Sequence, residues 1–94
     1  MRAVVVDDIQ KFRKNLIQDL TDYCPHIEVV GEADGVISAA KKINTLKPDV
    51  VFLDIQINEG TAFDLLGVLG EINFKIIFTT ASDEFAIKAF KISA

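Results

Sequence analysis

Four short apolar segments, Arg2–Val6, residues 27–30, Val50–Leu53 and Lys75–Phe78, are rich in β-branched residues and read as strands. The first, third and fourth run without polar alternation, the pattern of strands buried on both faces of a parallel sheet. Between them the period changes to that of helices. Phe12, Leu16, Ile17, Leu20 and Tyr23 share one helical face, and so do Val36, Ala39, Ala40, Ile43 and Leu46 behind a predicted N-cap at Asp34. Pro48 ends the second helix just ahead of the third strand. Phe63, Leu66, Val68 and Leu69 predict a short third helix, and Ser82 a fourth, with Asp83 and Glu84 favourably placed against its dipole. Strand and helix alternate along the whole chain, which implies an α/β domain with right-handed crossovers and a mostly parallel sheet.

Composition narrows the class. The 94 residues suffice for one thin-cored domain, and 10 basic against 14 acidic side chains give a net charge of −4. No basic run supplies the electrostatics of phosphate-backbone binding, so direct nucleic acid binding by this chain is not expected. The single Cys24 excludes an internal disulfide, and no Cys/His spacing suits zinc. No leader and no apolar run of about 20 residues is present, so the expectation is a cytoplasmic protein without a membrane partner.

The ends of the strands carry the chemistry, because ligands of open parallel sheets bind at the carboxyl edge. The first strand ends in Asp7 and Asp8, the third in Asp54 and the fourth in Thr79 and Thr80. If the first and third strands are neighbours, about 5 Å apart, three carboxylates converge. Such a cluster repels itself, and a hard divalent cation with oxygen ligands, Mg²⁺ foremost, stabilises it. A carboxylate beside that cation suits phosphoryl transfer as a nucleophile, with the Thr80 hydroxyl placed to bond a phosphoryl oxygen. One Asp after a strand is more often a turn former or a helix cap. An adjacent pair, a third acid and a hydroxyl at one sheet edge are harder to explain by turns.

Residues 4–8, 47–56 and 78–81 resemble the receiver domain of bacterial two-component response regulators. Residues 77–90 resemble its LytR/AlgR branch, whose members carry a LytTR DNA-binding domain after the receiver. The resemblance covers residues 1–94 and implies a flavodoxin-like, doubly wound parallel sheet of strand order 2-1-3-4. It implies that Asp54 is the phosphoacceptor for a sensor histidine kinase. Asp8 would ligate Mg²⁺ directly, Asp7 through water and Gln56 by its backbone carbonyl, while Thr80 would be the switch hydroxyl.

The departures from the family carry expectations of their own. Asn58 stands where a Pro is common and Ala62 where a Gly is common, so the loop after Asp54 is expected to take a different shape. The family's fifth strand, with its Lys and aromatic switch residue, and its fifth helix would lie beyond Ala94. The chain therefore reads as an incomplete receiver with an open edge at Lys75–Phe78, expected to associate as a dimer or higher oligomer. Two alternatives stand beside the receiver. One is a Mg²⁺-dependent phosphatase or phosphotransferase of haloacid-dehalogenase type, which wants a general acid where Gln56 stands. The other is a binding module that no longer takes phosphate. His26 and Cys24 read as plain loop residues, Lys41 and Lys42 as a wet helix face, and Phe12, Phe52 and Phe63 as core.

Overall fold

The structure, a computed structural model, describes residues 1–79. In chain order the elements are β1 (Arg2–Val6), α1 (Gln10–Tyr23), β2 (Glu28–Ala33), α2 (Val36–Leu46), β3 (Val50–Leu53), β4 (Gln56–Ile57), β5 (Gly60–Thr61), α3 (Ala62–Leu69) and β6 (Lys75–Phe78). The main sheet has the order β2-β1-β3-β6, and all its pairs are parallel. This is the expected 2-1-3-4 arrangement. The small antiparallel pair β4–β5 was not foreseen, because two-residue strands leave no periodicity to read.

Alternate residues of β1 and β3 point to opposite faces, and each face has its own core. Val4, Val6, Val51 and Leu53 pack with Val36, Ala39 and Ile43 of α2 and Ala62 and Leu65 of α3. On the other face Ala3, Val5, Val50 and Phe52 pack with Leu20 of α1. The two central strands are thus covered on both sides, which is why their sequences lack alternation.

Several boundaries and faces differ from the sequence reading. β2 continues through Gly31, Glu32 and Ala33, since pairing with β1 extends to Val6↔Ala33 across a register shift after Ala3. The N-cap of α2 is Gly35, not Asp34. Asp34 instead accepts the Ser38 hydroxyl at 3.0 Å, and Ser38 Oγ in turn accepts the Gly35 N–H at 3.3 Å. Phe12 is 53% exposed and Tyr23 79%, so only the middle of the predicted α1 stripe faces the sheet. Val68 is likewise exposed at 66%. β6 is not buried on both faces: Ile76 and Phe78 pack on the core while Ile77 is exposed. The predictions about Thr80, the helix capped by Ser82 and the apolar segment to Ala94 lie outside the described residues.

Lys47 closes α2 in the left-handed region at φ 48°, and the buried Pro48 then prevents continuation. At the start of α3, Thr61 Oγ1 accepts the Asp64 N–H at 3.3 Å and Asp64 accepts the Thr61 N–H at 2.8 Å. These reciprocal bonds satisfy donors that a bare helix start would leave open. Among the described residues no helix is long and apolar enough to cross a membrane.

Candidate functional site

The β1–β3 register pairs Val6 with Leu53, the last residue of each strand. The ladder then runs one step further: Asp54 N–H donates to Val6 O at 3.0 Å and Asp7 N–H to Ala33 O at 3.1 Å. Asp7 and Asp54 therefore leave the sheet at the same level, and Asp8 follows on the β1–α1 turn. One carboxylate oxygen from each of Asp7, Asp8 and Asp54 lies within 4.8 Å of the others. Thr79 reaches the same edge, its N–H donating to Leu53 O at 3.1 Å.

Each of the two inner carboxylates is held by one oxygen. Asp7 Oδ1 accepts the Ile9 N–H at 2.9 Å, and Asp54 Oδ1 accepts the Ile55 N–H at 2.8 Å. The β1–α1 turn is anchored by Arg13, whose Nη1 donates to Asp7 O at 2.8 Å while its Nε donates to Glu32 at 2.9 Å. Lys14 adds a second cation to Glu32 at 3.1 Å. The Arg13 side chain is only 14% exposed, so its pairing with Glu32 is partly shielded from water.

Burial pushes the Asp54 carboxyl above the usual carboxylate range, and the charges of Asp7 and Asp8 push it further. Asp7 is raised too, chiefly by burial and then by Asp8, with the Ile9 N–H and Arg13 opposing. Arg13 acts the other way on Glu32, holding it below the usual range. The signs fix a pH dependence. A carboxyl raised on folding costs nothing while protonated in both states, and stability is lost as pH rises through the folded value; Glu32 has the opposite effect, lost as pH falls. Asp54→Asn removes one raised group and leaves Glu32 alone. Its unfolding midpoint is therefore expected to exceed the parent's at about pH 7.5 by more than at about pH 4. Urea titrations at both pH values check this, and a gain that is larger in acid would contradict the burial argument.

The donor set suits a hard cation: three carboxylates, no sulfur and no imidazole. Oxygens on one Mg²⁺ at about 2.1 Å sit about 3–4 Å apart, so the observed spread needs only a small side-chain adjustment or one bridging water. Gln56 lies two residues past Asp54 in β4 with an exposed side chain.

The profile of the response regulator receiver domain matches residues 3–94. The chain belongs to the response regulator receiver family. It is 45% identical over 95 residues to an uncharacterized response regulatory protein of Vibrio parahaemolyticus, covering all of this chain and 39% of that protein. It is 33% identical over 96 residues to the sensory transduction protein LytT of Bacillus anthracis, again covering all of this chain and 39% of the relative. The transcriptional regulatory protein BtsR of Escherichia coli is 38% identical over 95 residues, with 97% and 38% covered. The chain thus spans about two fifths of the length of these relatives. Among solved structures, the response regulatory domain of mrkE from Klebsiella pneumoniae superposes with a TM-score of 0.86 at 27% identity, covering all of this chain and 78% of that one. The response regulator domain of Thermotoga maritima CheB gives 0.79 at 28%, with 100% and 73% covered.

Receiver domains bind Mg²⁺ at an acidic pocket and act as phosphoacceptors in two-component signalling rather than as metabolic enzymes. Family membership therefore favours the receiver over the haloacid-dehalogenase alternative. The structure brings Asp7, Asp8 and Asp54 together as the sequence suggested, and Thr80 lies outside the described residues. Arg13 and Glu32 were missed, because a salt bridge between a helix and a strand has no local signature. The Thr61–Asp64 cap did have one, Thr-x-x-Asp ahead of an apolar run.

Proposed function

We propose that this receiver accepts a phosphoryl group on Asp54 from a sensor histidine kinase in a Mg²⁺-dependent reaction. The observation that carries the proposal is the convergence of Asp7 and Asp8 on Asp54 at the end of a central strand. The Ile55 N–H holds Asp54 Oδ1, which leaves Oδ2 as the attacking oxygen. Oδ2 forms the new bond to phosphorus as the bond from phosphorus to the donor nitrogen breaks. The electron pair stays on that nitrogen, the imidazole leaves as the neutral ring because its other nitrogen carries a proton, and Asp54 becomes an aspartyl phosphate. Asp8 directly, Asp7 through water, Asp54 by its carboxylate and Gln56 by its backbone carbonyl would hold Mg²⁺, which would supply charge neutralisation for carboxylates and phosphoryl oxygens that otherwise repel.

The added group brings roughly −2 charge and strong acceptor oxygens, enough to draw the Thr80 hydroxyl inward and bias the segment after β6. The chain is proposed as one receiver domain over residues 1–94, cytoplasmic, acting on an output domain in the full-length protein. The names of the LytT and BtsR relatives support transcription regulation through a DNA-binding output domain.

Incubating the full-length protein with acetyl phosphate and Mg²⁺ tests the proposal. One phosphoryl group per chain is expected by intact mass, with none on Asp54→Asn and none when Mg²⁺ is chelated. Uptake by the Asn variant equal to the parent's would sink the assignment.

A further inference from the structure

The loop after Asp54 carries Asn58 and Ala62, whose backbone N–H groups both tie it down. A proline at position 58 would have no N–H. Asn58 has one, and donates it to Asp34 O at 3.0 Å, while Asn58 O accepts the Val36 N–H at 3.0 Å. The two bonds make a parallel bridge between Asn58 and Gly35, which ties the loop to the β2–α2 junction. Glu59 adds a third tie. Its backbone sits at φ +70°, in the left-handed region, and its Oε1 accepts the Ile37 N–H in the first turn of α2 at 3.3 Å. A carboxylate at that helix end also meets the positive end of the dipole. Gly35 makes the approach possible: a Cβ there would collide with Glu59 Oε1 and stand 2.8 Å from Asn58 O. At its base the loop is closed by Ala62 N–H donating to Ile55 O at 2.8 Å.

These ties hold a segment that begins at the phosphoacceptor and contains Gln56. We propose that Glu59 is a positioning residue: its carboxylate on the α2 N-terminus fixes the 55–60 loop so that the Gln56 carbonyl and Asp54 present their oxygens to Mg²⁺ together. The proposal rests on the Mg²⁺-dependent reading of the site given above. Glu59 is not among the three converging carboxylates, and its Oε1 is engaged by the Ile37 N–H. It acts through the loop, as outer groups do when they orient a ligand.

The test uses Mg²⁺ alone as the probe, followed by NMR at the Ile55 and Gln56 amides of the full-length protein. Glu59→Ala and Glu59→Gly are expected to weaken Mg²⁺ binding about tenfold, the lower end of what outer partners of a metal site contribute. Glu59→Gln keeps an acceptor oxygen and is expected to restore most of the affinity. Glu59→Gly separates positioning from folding, because glycine adopts positive φ freely. Its unfolding midpoint should stay at or above the parent's while its Mg²⁺ affinity falls. At saturating Mg²⁺, acetyl phosphate should label all three variants as fully as the parent. Parental Mg²⁺ affinity in Glu59→Ala and Glu59→Gly overturns the proposal, and so does a loss in Glu59→Gln as large as in Glu59→Ala. A parent that takes no phosphoryl group, or an Asp54→Asn variant that takes one, overturns the functional reading and this proposal with it. Asp54-dependent labelling with parental Mg²⁺ affinity in the Glu59 variants overturns this proposal alone.

Discussion

Leu53→Ala is expected to cost the fold about 2–5 kcal/mol, the range for truncating a fully buried leucine whose surroundings cannot collapse. Leu53 is fully buried, pairs with Val6 on one side and Phe78 on the other, and belongs to the larger core cluster. Neighbours fixed by two strand ladders have little freedom to fill the space. A domain this small has only about 5–15 kcal/mol in total, so the loss is a large share of it. Val68→Ala is the control, since Val68 is 66% exposed and its truncation is expected to stay within about 0.5 kcal/mol. Equilibrium urea unfolding of both variants decides the point. Equal midpoints for the two would mean that the sheet is not packed as described.

Asp8→Ala is expected to weaken Mg²⁺ binding about 100-fold, with little change in fold stability. Losing an outer partner of a metal site already costs about 10–100-fold, and losing a direct ligand belongs at the upper end. Asp8 is exposed and supplies one of the three converging oxygens, and its charge also raises Asp7 and Asp54. Removing it relieves that repulsion, so the unfolding midpoint without Mg²⁺ should hold or rise. Isothermal titration with Mg²⁺ measures the first effect and urea unfolding the second. An unchanged Mg²⁺ affinity would remove Asp8 from the ligand set.

The sequence made the sheet legible because β1 and β3 are covered on both faces, and a continuous run such as Val50–Leu53 has few other uses. The site was legible for a related reason: a parallel sheet gathers its strand ends at one edge, so Asp7 and Asp54 meet once β1 and β3 are neighbours. Less could be read where a residue's fate depends on a partner distant in sequence. Phe12 fits the periodicity of α1 yet lies beyond the stripe that contacts the sheet, since periodicity gives a face but not its width. β2 was read too short because the apolar run stops at Val30; pairing with β1 carries the strand on through Gly31 and Glu32, and Glu32 is held by Arg13. Glu59 had no signal at all. Its role depends on a left-handed backbone and on a glycine 24 positions earlier in the chain, the difference between 59 and 35.

The acidic cluster is proposed to make Asp54, and no other side chain, a Mg²⁺-dependent phosphoacceptor. An acyl phosphate is an activated carboxyl group, and borohydride reduces it to the alcohol, which converts a phosphorylated aspartate to homoserine. Reduction after incubation with acetyl phosphate and Mg²⁺, followed by peptide sequencing in the mass spectrometer, marks the acceptor. Homoserine is expected at position 54, with none at positions 7 or 8 and none anywhere when Mg²⁺ is chelated. Homoserine at position 7 or 8, or an unmodified Asp54 in protein that has gained a phosphoryl group, would contradict the assignment.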